Sequence, residues 1–204
     1  KEGERGEVIS FGPEYNRLIL SDNHLFYNPG VTIDDPDAKI FGLGLLFENG
    51  DIHQEHRRLM MPAFHKRTVE TYCDTMVTAI DEFLNRWQIG TQRDINHDMH
   101  QLTMHIVTKV LFGIDVRDRS ETLGDLIVAA LNASTDPLTF LIPVNRRGFP
   151  LYNMIQSFKK LIARIRELIA EKRLHPDSQN DALSILLHAT DEAGGKLSDD
   201  ELIG

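Results

Sequence analysis

The chain has 204 residues, 41% of them hydrophobic, enough for one sizeable core with at most a small subdomain. Its 22 basic and 31 acidic residues leave a formal charge of −9, a poor match for nucleic acid. With one cysteine, Cys73, no internal disulfide forms, which fits a reducing compartment. No apolar run approaches the ~20 residues that span a bilayer, and no signal-peptide pattern opens the chain.

Val8 to Phe11 and Arg17 to Leu20 are short β-prone runs separated by Gly12-Pro13-Glu14-Tyr15-Asn16. They predict a β-hairpin, followed by a one-turn helix from Ser21 or Asp22 and a break at Asn28-Pro29-Gly30. Val31 to Ile40 is acidic and predicts an exposed loop.

Gly42 to Phe47 is an apolar, Gly-rich loop, and Asn49-Gly50 favours a turn. Gly42-Leu43-Gly44 lacks the third Gly and the preceding strand of a dinucleotide loop. Asp51 to about Met60 predicts a short helix that Pro62 stops. In it His53 and Arg57 are four residues apart and share a face. Both donate hydrogen bonds, and a guanidinium matches a carboxylate by charge-assisted bonds. This face is ready for an anion, or is a plain solvated face.

Beyond Pro62, Val69, Tyr72, Cys73, Met76, Val77, Ile80, Phe83, Leu84 and Trp87 recur at helical spacing, up to Gly90. Cys73 on that stripe is expected to be a buried small hydrophobe. Asp94 or Asn96 starts the next helix and Gly113 ends it, with two apolar stripes that predict burial on most sides. His97 and His100 lie there with Asp94 and Asp98, a weak metal candidate without a second ligand cluster.

Glu121 to Ser134 predicts a further amphipathic helix, broken at Asp136-Pro137. Leu138 to Val144 is an apolar, Pro-interrupted connector, either a loop tucked on the core or a lid over an apolar pocket. Leu151 to Arg173 predicts a long helix, and Asp181 caps another from Ala182 to about Ala193. Ser198-x-x-Glu201 is a capping box that opens a last helix.

The run from the apolar loop through His53, Arg57, Arg58-Leu59 and Pro62-Ala63-Phe64 resembles the cytochrome P-450 family of haem-thiolate monooxygenases. Val110-Leu111-Phe112-Gly113 resembles the end of that family's E helix, and Asp191-Glu192 to Ile203 the entry to its I helix. The resemblance implies a mainly α fold, a P-450-like bundle with a small N-terminal β-hairpin, stopping at the start of the I helix. Residues 1–30 would form the hairpin and short helix, and 31–204 the helical part of one incomplete domain.

It implies that His53 and Arg57 bind the propionates of haem b. Leu45, Leu46, Phe47 and a lid near Phe140 would line the pocket of an apolar, fatty-acid-, terpenoid- or steroid-like substrate. Arg58, Lys66 and Arg67 would form a docking patch for a ferredoxin or flavodoxin-type donor. The thiolate ligand is expected outside this chain, because Cys73 is not in the family's ligand loop. A soluble bacterial type, cytoplasmic and monomeric, is the further implication. The alternative is a non-enzymatic helical module that binds an apolar ligand or a partner protein.

Overall fold

The computed structural model describes residues 11–21, 39, 44–114, 123–142, 144–175, 181–190 and 194–204. Among them the regular structure is helical: α1 (Pro13–Ser21), α2 (Gly50–Met60), a 3₁₀ turn (Met61–Phe64), α3 (Lys66–Leu84) and α4 (Ile95–Phe112). Then come α5 (Leu123–Ser134), α6 (Pro137–Leu141), α7 (Pro150–Leu174), α8 (Ala182–His188) and α9 (Asp199–Ile203).

The longest helix, α7, is the spine. Leu161, Ile162, Ile165, Leu168 and Ile169 recur every three or four residues, so one stripe runs down its inner face. Against it pack Leu123, Leu126 and Ala130 of α5, Leu183 of α8 and Ile203 of α9. Nearer its start, Leu151, Met154 and Ile155 form a second cluster with Ala133 and Phe158. Helices α3 and α4 pack on each other, and α8 touches both α4 and the 3₁₀ turn.

Capping sets most of the boundaries. The Asp94 carboxylate accepts from the His97 amide at the start of α4. Asp136 does the same for Leu138, and Asp181 for Ser184. At α9 both halves of the capping box are made: the Glu201 amide donates to Ser198 Oγ (3.3 Å) and the Ser198 amide to the Glu201 carboxylate (2.7 Å).

The hairpin expectation is not met where it is described. Arg17 to Leu20 lies in α1, not in a strand, and no described residue is in a strand. Val8 to Ser10 and the short helix from Asp22 lie outside the described residues. The reason is legible in hindsight: Gly12 precedes Pro13 at the first helical position, with Glu14 in the first turn, a helix-start pattern. No residue of α1 is buried, so packing does not decide its conformation.

Cys73 is exposed, not buried, and its thiol faces the Val69 carbonyl at 3.7 Å. The wide apolar stripe of α3 divides: Tyr72, Ala79 and Phe83 are buried, while Val69, Val77 and Leu84 face out. Helix α4 buries Asp98, His105, Thr108 and Val110 but leaves Ile95 and Met99 exposed. The helix after Asp181 ends at His188, because Ala189 is already extended.

Where the end of α4 meets α7 and α8, a polar joint closes the core. Lys172 Nζ donates to Asp181 Oδ2 (2.7 Å) and to Ser184 Oγ (3.1 Å), with Asp181 buried and Lys172 half-buried. Nearby, the Tyr72 hydroxyl donates to the Ala63 carbonyl (3.1 Å). Burial, and then the charge of Asp181, push that phenol up from its ordinary value.

Gly113 ends α4 at φ 66° beside this joint, and a Cβ there would sit 2.7 Å from Asp181 Oδ2 and 3.2 Å from Lys172 Nζ. Gly113→Ala should therefore lose about 1–2 kcal/mol for the left-handed backbone alone, and more by pushing the pair apart. Denaturant unfolding of the full-length protein checks this; an unchanged midpoint contradicts it.

Two carboxyls are held below their usual range. Hydrogen bonds from Arg93, and then its charge, do so for Asp98 against the cost of burial. The same guanidinium lies 5.3 Å over the Trp87 ring. Hydrogen bonds from Ser198, with the charge of His56 added, do so for Glu201. A depressed folded pKa means the unfolded chain binds the proton more tightly, so the stabilisation is present in full above pH ~5 and fades as pH falls below ~4. The unfolding midpoint should drop over that acid range, and Asp98→Asn should flatten the drop. An equally steep profile in the variant would exclude Asp98 as a source.

Candidate functional site

The site is built around α2. Its sequence, Gly50 to Met60, has Asp51 in the first turn and Arg57 and Arg58 in the last, the arrangement that the helix dipole favours. Leu59 is its buried anchor. The C-terminal end passes into the 3₁₀ turn, where Pro62 suits the first helical positions and Ala63 is fully buried under Tyr72.

Leu45, Leu46 and Phe47 lie in the turn just ahead of α2, where the Phe47 amide donates to the Gly44 carbonyl (2.9 Å). Leu46 is 77% exposed, while Leu45 and Phe47 are half-buried. Gly44 is buried against the last turn of α9, and a Cβ on it would fall 1.9 Å from the Gly204 carbonyl oxygen. No other residue fits there without moving one of the two backbones.

His53 is half-buried and Arg57 exposed, one helical turn apart on α2. Neither has a hydrogen-bond or ion-pair partner among the described residues. Their donors are thus unspent on one face, which fits a bound dicarboxylate such as the edge of a haem. Arg58, by contrast, has a polar interaction of its own within the chain.

The fourth His or Arg side chain of α2, His56, is not singled out by the sequence, yet it meets two carboxylates. Its Nδ1 lies 2.7 Å from Glu48 Oε1, just upstream of the helix, and its Nε2 3.5 Å from Glu201 Oε1 on α9. Its side chain is 13% exposed, and that of Glu48 7%. The sequence carries no local signal for this contact, because His56 and Glu201 are far apart along the chain and Glu201 reads as a helix cap.

Lys66 and Arg67 open α3 on the far side of the 3₁₀ turn, beside a shallow groove formed with Pro62, His65, Thr68 and Glu70. Lys66 is 92% exposed, 3.9 Å from Glu70. The backbone of Phe140 lies in α6, while its side chain is outside the described residues. Leu138 and Leu141 of α6 are exposed at 49% and 74%.

His97 and His100 line a separate cavity of about 660 Å³ between α3, α4 and α5, with Phe83, Met104 and Val128. Among the described residues no three His, Cys, Asp or Glu side chains come together in a way that would hold a metal.

The family model described as Cytochrome P450 matches residues 1–204. Pentalenene oxygenase of Streptomyces avermitilis is 29% identical over 98% of this chain and 45% of its own length. Cyclooctatin synthase of Streptomyces melanosporofaciens is 27% identical over 98% of this chain and 44% of its own. The structure of retinoic acid bound cyanobacterial CYP120A1 superposes with a TM-score of 0.70 at 22% identity, covering 80% of this chain and 36% of that one. The chain thus spans under half the length of these relatives, and with the family model matching from end to end it belongs to the cytochrome P450 family.

Proposed function

We propose that this chain is the N-terminal part of a haem-dependent monooxygenase that inserts one oxygen atom from O2 into an apolar small molecule. The observation that carries the reading is the face of α2 on which His53 and Arg57 stand with unspent donors. Haem b, with its thiolate ligand supplied from outside these residues, would provide the oxygen chemistry. The residues of this chain hold and enclose. Arg57 neutralises one propionate through its planar fork and His53 donates to the other.

Helix α2 is tied just past its C-terminal end, through Ala63 under Tyr72, and near its middle, through His56 to Glu201. The pair is therefore presented by a rigid element, which lowers the ordering cost of binding. Leu45, Leu46 and Phe47 give the substrate pocket an apolar wall, and α6 with Phe140 acts as its lid. An apolar wall selects by shape and by exclusion of water. Relatives named for pentalenene and for taxane point to a terpenoid-like substrate over a fatty acid or steroid.

Electrons come from an acidic ferredoxin or flavodoxin-type donor docking near Lys66 and Arg67, with Arg58 contributing the field of its charge. The protein acts as a cytoplasmic monomer. No helix among the described residues is long and apolar enough to cross a membrane.

Replacing Arg57 by Ala in the full-length protein removes a charge-assisted bond of about 1.5–3 kcal/mol. Haem affinity should fall by roughly 10–100-fold, seen as a lower haem-to-protein ratio after transfer to an acceptor globin. Unchanged occupancy would remove the propionate role. Reversing charge with Lys66→Glu and Arg67→Glu should slow reduction by an acidic donor several-fold at low ionic strength and converge with wild type at high salt. A salt-independent rate in both proteins would place docking elsewhere.

A further inference from the structure

Three segments meet at one imidazole. Glu48 comes from the loop that carries Leu45 to Phe47, His56 from α2, and Glu201 from the first turn of α9. The Glu48 carboxylate is nearly buried, and its Oε1 faces His56 Nδ1 at 2.7 Å while its Oε2 has no hydrogen-bond partner. Glu201 divides its two oxygens: Oε2 accepts from the Ser198 amide and Oε1 faces His56 Nε2. Independently, the same loop touches the same helix where Gly44 abuts Gly204. Loop and α9 thus meet at two points, one steric and one electrostatic, with His56 between Glu48 and Glu201 at the second.

We infer that His56 is a positioning residue, the joint that sets the loop Leu45–Phe47 against α9 and fixes the rotation of α2. Two carboxylate oxygens face its two ring nitrogens, Glu48 Oε1 at hydrogen-bond distance and Glu201 Oε1 at 3.5 Å, so one ring bridges the loop and α9. The joint has consequences at both ends. Loss of the ring leaves a buried carboxylate at Glu48 without a donor, which forces the loop outward to water. It also frees α2 to turn about its axis, and His53 and Arg57 turn with it. The inference rests on the proposed function for what the loop touches, and on geometry alone for the coupling.

The test is a double-mutant cycle in the full-length protein with His56→Leu, Glu201→Gln and the two combined. Gln at position 201 keeps the capping box, so it cuts the link to His56 and spares the helix start. The probe is 4-phenylimidazole, whose binding is read from the haem absorbance, beside the thermal midpoint. His56→Leu should weaken probe binding about tenfold and Glu201→Gln about threefold, with the double variant no worse than His56→Leu alone. Adding Glu48→Gln to His56→Leu should recover much of the lost midpoint, because the unpaired buried charge is gone; this pair also serves if His56→Leu folds poorly.

Additive effects in the cycle, or a His56→Leu protein that binds the probe as wild type does, would overturn the inference. A full-length protein that takes up no haem would sink the proposed function instead. The midpoints alone then decide the coupling, with non-additivity still expected and additivity still against it.

Discussion

The apolar seam along α7 is the constraint on which the rest depends. Its five inward residues, Leu161 to Ile169, bind α5, α8 and α9 at once. Each fully buried aliphatic side chain contributes about 1.5–3 kcal/mol, more than any exposed ion pair in the chain. The seam therefore decides where α8 and α9 lie. Through them it decides where α2 lies, because α8 receives the 3₁₀ turn and α9 receives His56. A helix with one buried anchor of its own, Leu59, is thereby held by contacts near its middle and just past its C-terminal end.

That dependence explains how polar and apolar forces divide the labour. Burial fixes the frame without regard to direction. Direction comes from the contacts of a few polar side chains: Lys172 with Asp181 at the end of α7, Arg93 with Asp98 at the start of α4, and His56 of α2 with Glu48 and Glu201. The first two sit at helix ends, where backbone donors and acceptors lack partners, while His56 sits inside α2 and joins it to a loop and to α9. Arg57 and His53 differ from them in having no partner among the described residues, which is what a binding face requires.

Much of this was legible in the sequence, for identifiable reasons. The long helices α3, α4 and α7 repeat their apolar residues over several turns, and the caps at Asp94, Asp181 and Ser198 stand at the expected offsets. Arg17 to Leu20 reads as a strand because its three apolar residues in a row carry no period; Gly12-Pro13-Glu14 before it is the better signal. Cys73 was misplaced because a stripe as wide as that of α3 does not reveal which half faces the core. His56 escaped because its partners come from a loop and from a helix far along the chain, and no local spacing encodes that meeting. The joint is a product of the tertiary fold.

The central claim is that the His53 and Arg57 face of α2 receives the edge of a haem while His56 holds the helix still. A crystal structure of the full-length, haem-loaded protein tests it most directly. It should show the Arg57 guanidinium and the His53 ring each within hydrogen-bond distance of a propionate, ~2.7–3.2 Å, with His56 still between Glu48 and Glu201. Propionates bound by other residues, with Arg57 turned to solvent, would contradict the account.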